Sequence, residues 1–158
     1  MAQEIERKFL VQDSVRPLLR EGVEFSQGYL ADNGKLSVRV RLAGDKAWLT
    51  TKGRGTGFTR PEFEYEIPTE DARYMLEHLV SGNLISKTRY RLLHDGLVWE
   101  VDVFDSDNAG LVIAEVELDS EDQSFEFPQW VAQEVTGDPR YLNVNLALCP
   151  YLQWTDSE

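Results

Sequence analysis

Apolar and polar side chains alternate with a period of two through most of this sequence. Residues 4–11 set Glu4, Glu6 and Lys8 against Ile5, Arg7 and Phe9, which predicts a strand. The same reading predicts strands at 25–30, 35–42, 46–52, 59–67, 85–93, 97–104 and 111–118. Turn chemistry separates several of them: Asp32-Asn33-Gly34, Gly44-Asp45, His94-Asp95-Gly96 and Asp107-Asn108-Ala109-Gly110. Asp13 or Ser14 is placed to cap a short helix, with Pro17 in its first turn and Gly22 ending it. Pro68-Thr69-Glu70-Asp71 opens a second helix whose apolar stripe of Ala72, Met75, Leu76 and Leu79 runs to about Val80, before Gly82-Asn83. Residues 128–135 and 139–148 predict two closing helices. The glycine-rich stretch 53–57 lacks the spacing of a phosphate-binding loop and precedes a strand, so it reads as a mobile loop at a strand edge. The expected class is α+β, mainly β, with about eight antiparallel strands and three or four helices in one domain over residues 1–158.

The faces of these strands carry the chemistry. Successive side chains of a strand point to opposite sides, so Arg39 and Arg41 share a face, as do Lys52, Thr50 and Trp48. Likewise grouped are Arg60, Glu62, Glu64 and Glu66; Lys87, Arg89 and Arg91; Glu100 and Asp102; and Glu115 and Glu117. The opposite faces are mostly apolar: Val38, Val40 and Leu42; Phe63, Tyr65 and Ile67; Trp99, Val101 and Val103; Val112, Ala114, Val116 and Leu118. For a single strand this is an ordinary amphipathic sheet. Across seven strands, like charges at consecutive same-face positions repel unless something occupies the space between them. If the sheet closes with its charged face inward, an interior rich in both signs is hard to stabilise empty. A polyanion with divalent cations resolves the conflict. Arg and Lys donate to phosphate oxygens, and carboxylates at Glu-x-Glu spacing are hard-oxygen ligands for Mg²⁺ or Mn²⁺.

Charge totals sharpen the asymmetry. The net charge of −12 argues against broad nucleic-acid binding, yet 15 of the 16 Lys and Arg residues lie within residues 1–91, where 13 acids leave a net +2. Residues 92–158 hold only Arg140 against 15 acids. Composition is that of a globular chain, with 42% hydrophobic and 28% charged residues, and no apolar run is long enough for a membrane helix. Glu4, Glu6, Arg7 and Lys8 stand where a signal peptide needs apolar residues, and the single Cys149 cannot form an internal disulfide. A cytoplasmic protein is expected, acting on a small molecule as a monomer or homodimer, without nucleic-acid or membrane partners.

In order along the chain stand Glu4-Ile5-Glu6-Arg7-Lys8, Gln27-Gly28-Tyr29-Leu30, Val38-Arg39-Val40-Arg41, Thr51-Lys52-Gly53 and the run Arg60 to Ile67. Lys87-Thr88-Arg89-Tyr90, Trp99-Glu100-Val101-Asp102-Val103-Phe104 and Ala114-Glu115-Val116-Glu117-Leu118 follow. As a set, spanning residues 4 to about 148, these resemble the CYTH superfamily, the triphosphate tunnel metalloenzymes. The resemblance implies an eight-stranded antiparallel barrel open as a tunnel, a charged interior, and hydrolysis of a triphosphate with one or two Mg²⁺ or Mn²⁺ ions. It implies Glu4, Glu6, Glu115 and Glu117 as metal ligands, Glu115 alternatively orienting the attacking water. Lys8, Arg39, Arg41, Lys52, Lys87 and Arg89 become the triphosphate clamp. Glu115, Glu117, Lys8, Arg39 and Lys52 stand as the catalytic set. Arg60, Glu62, Glu64, Arg91, Glu100 and Asp102 are either ligands or counter-charges.

Inorganic triphosphate is the expected substrate. An adenylate cyclase of class IV shares the tunnel but resembles chains with an aromatic, His-containing extension before Glu-x-Glu-x-Lys, where only Met1-Ala2-Gln3 stand here. A thiamine-triphosphatase needs an aromatic platform, and Trp48, Trp99 and Tyr29 read better as packing. A polyphosphate-binding module without turnover is the alternative of a different class.

Overall fold

The computed structural model describes residues 3–154. Strands β1 (Gln3–Val11), β2 (Val23–Asp32), β3 (Leu36–Ala43), β4 (Lys46–Gly53) and β5 (Thr59–Ile67) precede helix α1 (Thr69–His78). Strands β6 (Ser81–His94), β7 (Leu97–Phe104), β8 (Val112–Glu117) and β9 (Val131–Glu134) follow, then the short helix α2 (Asn143–Leu148). The sheet order is β5-β4-β3-β2-β6-β7-β8-β1-β9, and a further β5–β1 pairing closes the first eight strands into an antiparallel barrel. Closure is strongly staggered. β1 pairs with β5 only through Gln3 to Ile5, while Glu6 to Leu10 pair with β8. The free edge of β1 beyond that seam is taken by β9, with Phe9 opposite Glu134 and Val11 opposite Val131. Among the described residues, no helix is long and apolar enough to cross a membrane.

The expected closing helix at 128–135 is therefore a strand. Local spacing there permits a helix, but an unpaired stretch of β1 offers backbone donors and acceptors that only a strand satisfies. Trp130 also buries its ring against Trp99. The expected helix at 139–148 is broken: a 3₁₀ turn (Pro139–Tyr141) and α2 flank Leu142, whose extended backbone (φ −71°, ψ 135°) interrupts the helix. The first helix is a 3₁₀ turn, Asp13–Leu18, with no side-chain cap and an end well before Gly22. Helix α1 stops at His78, and Ser81 already pairs with Tyr29, so Gly82 and Asn83 belong to β6 rather than to a helix end.

The apolar faces look outward and are covered unevenly. Val40, Ala47, Leu42, Leu49 and Ile67 pack beneath Ala72, Met75 and Leu76 of α1. Trp99, Val101, Ala114 and Val116 pack with Phe9, Val15, Leu118 and Trp130. Arg7 clasps this cluster from outside, bidentate to Glu134 (2.8 and 2.6 Å) with its guanidinium 5.2–5.9 Å from the rings of Phe9, Phe125 and Phe127. Phe63 and Tyr65, on the apolar parity of β5, face solvent, because they lie outside the cluster that α1 covers. The C-terminal segment lays Tyr141, Leu146 and Ala147 on Tyr29, Ile85, Phe104 and Ile113 at one end of the barrel.

Trp99, fully buried, meets Phe9, Phe125 and Trp130 at ring-centroid distances of 5.5–5.7 Å. Trp99→Ala is expected to lower unfolding stability by about 3–5 kcal/mol in urea titration. A loss under about 1 kcal/mol would show that the cluster does not hold the barrel wall.

Candidate functional site

Inside the barrel the charged parities converge on one cavity of about 1170 Å³. Glu4, Glu6, Lys8, Arg39, Arg41, Lys52, Arg60, Glu62, Glu64, Arg89, Arg91, Glu100, Glu115 and Glu117 all line it. Two expected residues do not. Lys87 and Asp102 lie beneath the wall, their side chains 1% exposed and 2.7 Å apart, and form a buried pair. Asp102 also receives Nε and Nη2 of Arg89 (2.7 and 2.8 Å), which fixes that guanidinium against the cavity. Lys87 thus stiffens Arg89 in this structure instead of reaching the lumen.

Strand register decides the remaining partners. Glu4 is opposite Arg60, Lys8 opposite Glu115, Arg89 opposite Asp102 and Lys52 opposite Glu62. Lys52 reaches Glu4 at 2.7 Å, and Arg60 reaches it at 3.6 Å. Lys8 sits 3.6 Å from Glu115 and 4.0 Å from Glu6. Arg41 approaches Glu64 at 3.4 Å, and the Thr50 hydroxyl donates to the same carboxylate at 2.9 Å. Arg89 and Arg91 both approach Glu100, at 3.3 and 3.5 Å. Arg39 differs. It is 8% exposed and, unlike Arg41, whose Nε also lacks a hydrogen-bond partner, it forms no ion pair among the described residues.

The carboxyl groups divide by environment. Burial would raise Glu115, but Lys8 and Arg89 overcome it and hold the group down at about 2. Burial likewise opposes the ionisation of Glu4, yet the hydrogen bond from Glu62 and the charges of Lys52 and Arg60 keep it well below the ordinary range. Glu6 lacks such support: burial, then Glu115 and Glu4, push it up to about 8. Glu62 rises to about 8 through burial and its hydrogen bond to Glu4. Glu117 is raised by burial and by Glu4 and Glu100. Among the cations, burial and Arg39 bring Arg41 down to about 10.

Carboxylates expected as metal ligands therefore share the cavity, but among the described residues no three acidic, His or Cys groups converge at ligand distance. Glu4 and Glu115 are instead held by lysines and arginines from neighbouring strands. Trp48, read as packing, lines the cavity with the Arg41 guanidinium 5.2 Å from its ring, whereas Tyr29 touches the cavity from within the apolar cluster of Ile85, Phe104 and Leu146, as packing. Trp99 is packing, as expected. Tyr29 shares parity with Phe25 and Gln27, a signal that goes unused because β2 carries no charge on that face. The glycine-rich stretch forms a tight loop at the cavity rim. A Cβ on Gly55 would lie 1.7 Å from the carbonyl oxygen of Thr59, so only glycine fits there.

An antiparallel barrel that turns both signs of charge into one central cavity defines a tunnel protein with an ionic lumen. The comparisons agree. The profile of the CYTH domain matches residues 2–146, and the chain belongs to the CYTH family. It is 49% identical over 151 residues to an inorganic triphosphatase of Acetivibrio thermocellus, covering 96% of this chain and 97% of the relative. It is 40% identical over 149 residues to an inorganic triphosphatase of Nitrosomonas europaea, covering 92% and 97%. The crystal structure of an inorganic triphosphatase superposes with a TM-score of 0.65 at 35% identity, over 94% of this chain and 96% of that one.

The raised carboxyls give a pH signature. Glu6 and Glu62 ionise near 8 when folded and near 4.5 when not, so between those values the unfolded chain sheds protons the folded chain keeps. Stability falls as pH rises across that window. Glu115 acts in the other sense, its contribution present above 4.5 and lost as pH falls toward 2. In chelating buffer the melting temperature is expected to decline from about pH 5 to about pH 8, and Glu6→Gln is expected to flatten the decline. A wild-type melting temperature constant over that range would reject this balance.

Proposed function

We propose that this chain hydrolyses inorganic triphosphate to diphosphate and phosphate within the tunnel, with Mg²⁺ or Mn²⁺ as cofactor. The observation that carries the reading is Arg39, a buried guanidinium facing the cavity with an unpartnered Nε. A buried cation without an anion is costly, and phosphate oxygens supply both the charge and the acceptor. The names of the two relatives, 49% and 40% identical, support the same substrate.

The donor chemistry suits a hard divalent cation. All candidate ligands are carboxylate oxygens, and Glu6, raised chiefly by burial and then by Glu115 and Glu4, stands among like charges that a cation would offset. Glu4, Glu6, Glu115 and Glu117 would hold the ion, once phosphate oxygens replace Glu4 and Glu115 as partners of Lys52 and Lys8. Bound there, it would supply charge neutralisation and a water of lowered pKa.

The chain's own residues do the positioning. Lys8, Arg39, Arg41, Lys52 and Arg89 hold the three phosphates so that a water attacks the terminal phosphorus opposite the bridging oxygen. A P–O bond to water forms while the P–O–P bond breaks, and its electron pair leaves with diphosphate. Phosphoryl transfer asks mainly for this alignment and for charge stabilisation on the phosphate oxygens. Where Glu115 is not a ligand of the ion, Arg89 keeps it ionised to orient the water, and the water's proton passes to the interior carboxylates.

A phosphate-release panel tests the reading: triphosphate, diphosphate, ATP and thiamine triphosphate, each with Mg²⁺, Mn²⁺ or EDTA. Triphosphate is expected to show kcat/KM at least about tenfold above ATP, roughly 1.4 kcal/mol in transition-state binding, with no cyclic AMP formed. Cyclic AMP as the main product from ATP would move the assignment to a cyclase, and full activity in EDTA would remove the metal. Arg39→Ala and Lys52→Ala are expected to lose activity while remaining folded, since Arg39 holds no carboxylate and water can rehydrate the Glu4 that Lys52 releases. Unfolded variants whose soluble fraction keeps normal turnover would make both residues structural. A non-hydrolysable triphosphate analogue with metal should raise the melting temperature more than either alone, saturation at about 100 times Kd being worth roughly 2.7 kcal/mol. Glu6→Gln and Glu117→Gln are expected to shrink that joint effect, and a wild-type metal response in both would overturn their role.

A further inference from the structure

The two ends of the tunnel differ in a way the interior does not require. Strands β2 and β4 run toward one end and β3 and β5 start from it, so the β2–β3 turn and the β4–β5 loop form its rim. Two cations stand there, Lys35 on the turn and Arg54 on the loop, and both line the cavity. The elements that carry them are joined: the backbone N–H of Arg54 donates to the carbonyl of Lys35 at 3.1 Å, and the Arg54 guanidinium lies 3.9 Å from where a Cβ on Gly34 would stand. The turn is itself braced, with the Asn33 side chain accepting from the N–H groups of Lys35 and Leu36 and the Asp32 carboxylate accepting from that of Gly34.

Among the described residues neither Lys35 nor Arg54 forms an ion pair. The cations at the opposite end are committed. Arg91 pairs with Glu100, and Arg20, which forms no ion pair among the described residues, has its guanidinium held by the carbonyls of Pro17 and Leu19. On the Lys35 side, moreover, the next strand neighbours inward are cationic. Ser37 is opposite Lys52, and Arg39, the unpartnered guanidinium, is two residues further along β3. From this rim the unpaired Lys35 and Arg54 thus lead to Lys52 and Arg39, whereas the cations that lead inward from the other end, Arg91 and Arg89, are already paired with Glu100.

We propose that Lys35 and Arg54 form a cationic collar through which the anionic substrate enters, giving the tunnel a single working direction. The inference rests on the triphosphate reading above and adds residues that bind no reacting atom. Uncommitted charges at the mouth of a cleft raise the encounter rate of an oppositely charged ligand, and the effect fades as salt screens it. The clamp and the chemistry lie deeper, so the collar governs capture and leaves turnover at saturation untouched.

Steady-state phosphate release from triphosphate, at about 20 mM and about 300 mM KCl with metal saturating, separates the outcomes. The double variant Lys35→Ala/Arg54→Ala is expected to lose about tenfold in kcat/KM at low salt with kcat unchanged, and to approach wild type at high salt. Arg20→Ala, at the other end, is expected to keep the wild-type values at both. Wild-type kcat/KM in the double variant at low salt would overturn the collar. A deficit that persists at high salt, or one that falls on kcat, would show a structural role instead, and a larger loss in Arg20→Ala would reverse the direction. Absence of triphosphate turnover in the wild-type protein would reject the substrate reading itself, a result distinct from all of these.

Discussion

Charges of both signs turned inward must be paired or hydrated, and this balance governs the barrel. Desolvating a carboxylate or an ammonium costs several kcal/mol even after relaxation, so a packed ionic core would be unstable. The chain avoids it in two ways. It keeps a wide lumen of about 1170 Å³, and it sets most interior carboxylates across from a cation on the next strand: Lys8 and Glu115, Arg60 and Glu4, Arg89 and Asp102. What remains unbalanced is informative. Arg39 has an unpartnered donor and Glu6 an unsupported carboxyl, and they lie in one cavity. An anion satisfies the first and a cation the second.

The wall has to hold these groups still. Its outer face does so with apolar side chains, packed under α1 on one side and around Trp99 on the other. The buried Lys87–Asp102 pair, out of reach of the lumen, acts as an internal brace. It fixes Asp102, which in turn holds Arg89 in a fork of two hydrogen bonds. Pre-positioned donors of this kind stabilise charge without reorganising when it develops, which is what phosphoryl transfer needs from a protein.

Much of the site is legible along the chain because a strand's side chains alternate with strict period two. Every charged same-face set read from the sequence contributes side chains to the lumen, from Glu4-Ile5-Glu6-Arg7-Lys8 to Glu115 and Glu117. The errors come where pairing partners outweigh local preference. Residues 128–135 carry helix-compatible spacing, yet they become β9 because β1 had an edge to fill. Trp48 looks like a core residue by type, yet it lines the lumen beside the Arg41 guanidinium.

The alternation of the sequence, then, settles which residues of a strand share a face, where the eight barrel strands lie, and that the shared face is ionic. These are local properties, set by backbone geometry one residue at a time. It does not settle which charges meet. That depends on the stagger with which β1 closes onto β5, since a slip of two residues keeps every side chain on its face while changing each neighbour across the seam. Closure alone brings Lys52 of β4 to Glu4 of β1, two strands and 48 positions away, and leaves Arg39 free. It also seals Lys87 beneath the wall while Arg89, two residues on, lines the lumen. Depth along the barrel axis is a property of the closed tilted sheet, and no single strand contains it.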